Sequence, residues 1–229
     1  MTWQNSYRAG ETIRNWQVGC KVVIAQMGKG GDMQEKPILF TAPMVRAILD
    51  GRKTVTRRLV KPQPVLEDAF VGGIFRQTWI YKDTADPQGW LMHNLCPYGQ
   101  PGDRLWVRER FAKDITGCPN GIAYRADHQD PYGDGPANPI TWKPSIHMPR
   151  WASRITLEVA GVRVEPLQGI TEEDAKAEGT TPSIVGADLD YLKYRAGFQA
   201  LWDSINGKTY PWSANPWVWV VEFRKIAPE

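Results

Sequence analysis

The stretch Trp217 to Phe223 constrains the fold more than any other. On an extended backbone alternate side chains face opposite ways. Val218 and Val220 then lie on one face, and Trp219, Val221 and Phe223 on the other. Both faces are apolar, which predicts a central strand covered on each side. Other segments alternate in the same way. Leu105-Trp106-Val107-Arg108-Glu109 follows a Pro101-Gly102-Asp103 turn, and Arg154 to Glu165 runs through Ile155, Leu157, Val159, Val162 and Val164. Pro37-Ile38-Leu39-Phe40 reads as a short apolar strand, and Phe75, Trp79, Ile80 and Tyr81 mark one strand pair.

Helical spacing interrupts these strands. Thr41 is placed to cap a helix with Pro43 in its first turn, and Met44, Val45, Ile48 and Leu49 form one face. Gly51 is the expected stop. Thr171-Glu172-Glu173-Asp174 opens a second, short helix running to Glu178, with Gly179 ending it. A third carries Leu189 and Leu192, then Phe198, Leu201, Trp202 and Ile205 at i, i+3, i+4 and i+7. The pattern is α+β with several antiparallel strands and no internal repeat.

Residues 1–35 read as a flexible N-terminal tail and 36–229 as one domain, with loop insertions at about 62–100 and 112–150 rich in turn-forming residues. Met33 follows Gly30-Gly31-Asp32, which purine-rich ribosome-binding DNA would encode if translated in frame. Met33 is thus a candidate natural start, beside the plainer linker reading. No apolar run reaches membrane-spanning length, and Val22-Val23-Ile24-Ala25 is too short for a signal core. Cys20, Cys96 and Cys118 are odd in number and widely spaced, which sets up no disulfide framework. The expectation is a soluble cytoplasmic protein with no membrane partner.

The net charge of +3 is too small to imply a polyanionic partner. Its distribution says more. Between Arg46 and Lys61 stand six basic residues and one acid, Asp50, so the positive charge is one patch. Within it, Gly51-Arg52-Lys53-Thr54-Val55-Thr56-Arg57-Arg58 holds the most chemistry. Arginine suits bidentate capture of phosphate or carboxylate, and a lysine with cationic neighbours can fall toward neutrality and act as a base. A solvated basic edge after a helix is the structural alternative.

Two further segments matter. Arg108 and Glu109 either belong to an ordinary strand or point toward a pocket. Ile170 to Gly179 carries an acidic helix whose first-turn carboxylates suit the positive end of the helix dipole. Glu178 stands at the other end, where an anion has no such local reason to be. A carboxylate there can orient a lysine or act as an acid. Metal binding has little support: His93 and Cys96 are three apart, while Cys118, His128 and His147 are scattered. No metal or cofactor is expected.

Taken together these segments resemble the ASCH family of the PUA-like superfamily. The resemblance rests on Ile48 to Arg58, Pro101 to Leu105, Ile170 to Gly179 and Trp217 to Phe223, in that order. It covers roughly 38–226. More narrowly, Lys36 to Arg58, Cys96 to Glu109, Trp142 to Ile155 and Phe198 to Phe223 are similar to phage and prophage ASCH proteins. The resemblance implies a PUA-like mixed β-barrel flanked by short helices, with a cleft for RNA or a nucleoside. Small bacterial members of the family remove the acetyl group from N4-acetylcytidine with a Lys, a Thr and a Glu. Those residues match Lys53, Thr56 and Glu178 here. The implied chemistry is amide hydrolysis. Thr56 is nucleophile or water-positioner, Lys53 its base, and Glu178 the group that orients Lys53 or protonates the leaving amine. Arg58 or Arg52 would stabilise the oxyanion. This chain is about twice a minimal member, and its insertions are its departure from the pattern.

Three functions follow as expectations. The first is an amidohydrolase acting on an N4-acylated cytidine or related modified nucleoside. The second is a non-catalytic RNA or modified-DNA binding module of phage origin, with Arg52, Thr54, Arg57, Arg58, Arg108 and Glu109 as contacts. The third is a ribonuclease. Trp79, Trp90, Tyr98, Tyr124 and Trp142 favour binding where exposed.

Overall fold

A computed structural model describes residues 33–71, 74–81, 84–86, 96–128, 140–184 and 192–227. The tail expected over residues 1–35 therefore falls almost wholly outside the described residues, as do Cys20, His93, Trp90 and Leu189.

Among the described residues the main sheet has five strands. In chain order they are β1 (Glu35–Leu39), β2 (Val55–Leu59), β6 (Arg104–Arg108), β9 (Thr156–Pro166) and β12 (Trp217–Ile226). Across the sheet the order is β1-β6-β9-β12-β2. All pairings are antiparallel except β1 with β6. β12 is an interior strand, as its two apolar faces require. Trp219, Val221 and Phe223 enter a core with Ile38, Val45, Ile48, Leu105, Leu157 and Val159, while Val218 and Val220 enter a second core with Val55, Phe198 and Trp202. Burial of this apolar surface on both faces is the main force holding the sheet between its helices.

Among the described residues three α-helices flank the sheet: α1 (Ala42–Leu49), α2 (Glu172–Ala177) and α3 (Tyr194–Asn206). α1 closes the first core, and α2 and α3 close the second. The hydroxyl of Thr171 caps α2 by accepting from the Asp174 amide at 3.1 Å. Thr41 stands at the cap position of α1, but its hydroxyl makes no capping bond. α3 is shorter than its spacing predicts. Leu192 lies ahead of it in β11 (Leu192–Lys193), which pairs with β10 (Ser183–Ile184). The first insertion contains an antiparallel meander of β3 (Val65–Val71), β4 (Ile74–Tyr81) and β5 (Thr84–Asp86). The second contains the short pair β7 (Phe111–Ala112) and β8 (Ala123–Tyr124) among single 3-10 turns.

The architecture is mixed α+β on a mostly antiparallel sheet. The expected barrel closure is not seen: among the described residues no strand pairing joins β1 to β2. No helix among the described residues is long and apolar enough to cross a membrane.

Candidate functional site

β2 leaves α1 through the turn at Gly51, whose φ of +72° suits a residue without a side chain. On β2, Val55, Arg57 and Leu59 share the face toward α2 and α3, since Val55 and Leu59 belong to that core. Register with β12 and β9 sets Arg57, Val220 and Arg163 in one row across three strands. Glu165 lies two residues along β9 on the same face. α2 covers this row and brings Asp174 and Glu178 down onto it.

The result is a compact ion network. Arg57 donates to Glu165 at 2.7 Å, to Asp174 at 2.9 Å and to Glu178 at 3.5 Å. Arg163 donates to Glu165 at 3.1 Å, to Asp174 at 3.3 Å and also to Glu222. Lys53 completes it. Its Nζ donates to Glu178 Oε2 at 2.6 Å, to the Glu178 carbonyl at 2.9 Å and to the Val55 carbonyl at 2.8 Å. Three cations thus meet four carboxylates, and the Lys53 and Arg57 side chains have no solvent exposure. Burying charge is tolerated only when each charge is paired and hydrogen-bonded, and that condition is met here.

Burial pushes the Lys53 ammonium below the ordinary lysine value. Glu178 opposes that shift, while Arg58 and Arg57 add to it. The ammonium also lies 5.6 Å from the Phe40 ring centroid, and the Arg58 guanidinium lies 5.2 Å from the same ring. Gly179 allows the close approach. Its φ is +74°, and a Cβ there would stand 2.8 Å from the Ala47 Cβ and 2.9 Å from the Lys53 Cβ.

Thr56 and Glu178 line one small pocket of about 90 Å3 at the outer side of β2. Its wall also takes in Arg57, Arg58 and Met44, with Phe198, Leu201 and Trp202 of α3 among the rest. Lys53 is not part of its wall and reaches it through Glu178. The structure therefore brings together Lys53, Thr56 and Glu178, the three residues matched by motif. A buried lysine whose pKa is lowered beside a pocket is a recognised mark of functional sites.

The remaining sequence-derived residues are placed differently. Arg57 holds the carboxylates of the network together and also lines the pocket beside Thr56 and Glu178. Arg58 donates to the Leu39 carbonyl, and its Nε is shielded from solvent without a partner. Arg52 is exposed and paired with Asp50 at 2.8 Å, outside the pocket. Thr54 is exposed; its backbone joins Ala177 and Phe223. Arg108 donates to the Ile146 carbonyl and lies over Trp106. Glu109 lies in a separate buried pair with Arg154, at 2.9 Å, and burial pushes its carboxyl up against the opposing pull of that arginine. Tyr98 packs on the first core and Tyr124 on a small third one, while Trp142 lies against His128.

Sequence reasoning passed over Glu165, Arg163 and Asp174 as site residues. A signal existed for the first two: Arg163 and Glu165 share one face of β9 next to valines, an unusual place for charge. Among the described residues no three His, Cys, Asp or Glu side chains are arranged to hold a metal ion.

No protein-family model matches the chain, and no curated protein matches it. Among solved structures, a protein from Enterococcus faecalis V583 described by the family model DUF984 is similar, with a TM-score of 0.37 and 11% identity over 85% of this chain and 80% of that chain. A likeness at that level carries no argument about fold or function.

Proposed function

We propose that the chain is an amidohydrolase that removes the acyl group from an N4-acylated cytidine or a related modified nucleoside. One observation carries the reading. The buried Lys53 is held by Glu178 at 2.6 Å, and Glu178 and Thr56 line the same pocket. This matches, residue for residue, what the ASCH resemblance implies.

The chemistry runs through that contact. An ammonium already pushed down by burial passes a proton to Glu178 across the short hydrogen bond. Lys53 is then a neutral amine whose lone pair takes the proton of the Thr56 hydroxyl. In the resting arrangement its three contacts are Glu178 twice and Val55, so Thr56 gains its base only after this transfer. The Thr56 oxygen bonds to the acyl carbon, the carbon–N4 bond breaks, and protonated Glu178 supplies the proton that the leaving amine needs. Water then hydrolyses the Thr56 ester, releasing the carboxylic acid. Arg58 at the pocket wall is the group placed to offset charge on the acyl oxygen.

The PUA-like barrel belongs to the same reading. The Arg58 guanidinium on β2 donates to the carbonyl of Leu39 at the end of β1, so a side chain links the two edge strands of the sheet. The free thiols of Cys96 and Cys118 support a cytoplasmic setting.

The test is incubation of the purified chain with N4-acetylcytidine and chromatography for cytidine. Cytidine is expected from the wild type and not from Thr56→Ala or Glu178→Gln, each checked for a cooperative melt. Absence of cytidine with a folded wild-type chain, or unchanged turnover in Thr56→Ala, would refute the proposal.

A further inference from the structure

The pocket beside Thr56 has two kinds of lining. Thr56, Arg57, Arg58 and Glu178 bring its polar groups. Phe198, Leu201, Trp202 and Ile205 stand at i, i+3, i+4 and i+7, one face of α3, and Met44 and Leu59 join them in hydrocarbon. α3 adds a polar side chain only at its end, with Asn206.

The inner part of this wall is fixed. Phe198 and Trp202 are buried members of the second core, and the Phe198 ring packs against Trp202 at 6.2 Å and Trp212 at 6.3 Å between centroids. Trp202 Nε1 donates to the Tyr210 carbonyl at 2.8 Å, so its polar atom is already spent. The outer part is different. Leu201 is partly buried and, among the described residues, belongs to none of the three apolar cores. Ile205 is 56% exposed. Two apolar side chains that the cores do not use thus line a pocket that also holds Thr56 and Glu178.

Size narrows what can enter. The pocket encloses about 90 Å3. An apolar cavity of about 150 Å3 takes benzene, so by proportion this one takes about three or four non-hydrogen atoms. That is the size of an acetyl or propionyl group and well short of a pyrimidine. Chemistry narrows it in the same direction. An acyl group has a carbonyl for the polar lining and an alkyl end for α3. The donor and acceptor edge of a base would meet hydrocarbon there and leave its polar atoms unpaired, which is costly.

We infer that this pocket seats the acyl group with the base outside it, and that α3, through Leu201, restricts the substrate class to short-chain N4-acyl nucleosides. The bond that is cut rests on the reading above; the seat is a separate statement about binding. Leu201 is a specificity-determining residue on this assignment, and Ile205 extends its surface toward the mouth.

The test is a ladder of N4-acetyl-, N4-propionyl-, N4-butyryl- and N4-benzoylcytidine. Cytidine release by the wild type gives kcat/KM for each member. Calorimetric titration of Thr56→Ala, in which the ligand stays intact, gives Kd for each. Acetyl and propionyl are expected to be alike, with a fall of roughly tenfold or more on reaching butyryl and a further fall for benzoyl. Leu201→Ala is expected to raise butyryl relative to acetyl by roughly tenfold. A merely structural role for Leu201 would lower every member alike. Ile205→Ala, which removes an exposed side chain, is expected to move the ratio the same way by less. A stepped ladder in Kd with no cytidine from any member would remove the reaction and keep the seat. Cytidine released at one rate across the ladder, or a butyryl-to-acetyl ratio unchanged in both folded variants, would remove the seat and keep the reaction. Neither turnover nor binding of any member would overturn both.

Discussion

Lys53 meets Glu178 twice across 125 residues of sequence, once at the carboxylate and once at the backbone carbonyl. The side-chain contact fixes the charge and the backbone contact fixes the position of the C-terminal end of α2. Neither depends on the other, so the two can be separated by mutation. Glu178→Ala keeps the carbonyl but leaves a buried ammonium without its counter-charge. We predict a loss of about 3–5 kcal/mol in urea unfolding. A double change to Lys53→Met with Glu178→Leu should recover part of it, since no uncompensated charge remains.

Gly179 and Gly51 both hold a positive φ, at +74° and +72°. Around Gly51 nothing lies within 4 Å of an added Cβ, whereas at Gly179 the Lys53 Cβ stands at 2.9 Å. Gly51→Ala should therefore cost only the backbone term, about 1–2 kcal/mol. Gly179→Ala should cost about 1–3 kcal/mol more, because Ala47 and Lys53 must give way. Equal effects in thermal melts would show that the close approach has no energetic weight.

One guanidinium, that of Arg57, serves three carboxylates of the network. Arg57→Ala leaves Glu165 and Asp174 with Arg163 alone, so the expected loss of stability is smaller than for Glu178→Ala, about 1–3 kcal/mol. The urea-unfolding midpoint of the folded variant measures this, and an unchanged midpoint would show that Arg163 holds those carboxylates without help.

Cys96 is buried in the first core, and burial pushes its thiol from 9.0 up to about 11. In native protein near neutral pH, iodoacetamide should label the partly exposed Cys118 and spare Cys96, as read by peptide mass spectrometry. The folded chain keeps this proton where the unfolded chain has lost it. The contribution of Cys96 to stability is thus full below about 9 and falls as pH rises from there to about 11. Cys96→Ala should flatten the stability profile in that window.

Local pattern made much of the frame legible. Pro43 with the spacing of Met44, Val45, Ile48 and Leu49 marked α1, and Thr171 marked α2 through a cap that the hydroxyl does form. The two apolar faces of Trp217 to Phe223 put β12 inside the sheet. What stayed hidden depends on strand order. Arg57 looked like one cation in a solvated run, although its alternation with Val55 and Leu59 already set it on an apolar face. Only the pairing of β2 and β9 with β12 shows that Arg163 and Glu165 stand beside it. The parallel pairing of β1 with β6 left no local trace, because it joins segments separated by most of the intervening chain. Leu192 was drawn into α3 by periodicity alone, which a leucine in a short strand also satisfies.

Among the described residues β2 pairs with β12 alone, and β12 follows every other strand of the main sheet. On the ribosome, Lys53 to Arg58 must therefore wait until Trp217 to Ile226 has been made before they gain a sheet partner. Lys53 and Arg57 emerge early and Glu165, Asp174 and Glu178 follow, yet the strand that aligns them comes after all five. A nascent or truncated chain ending before Trp217 carries every residue of the Lys53–Thr56–Glu178 set and still lacks the strand that aligns them.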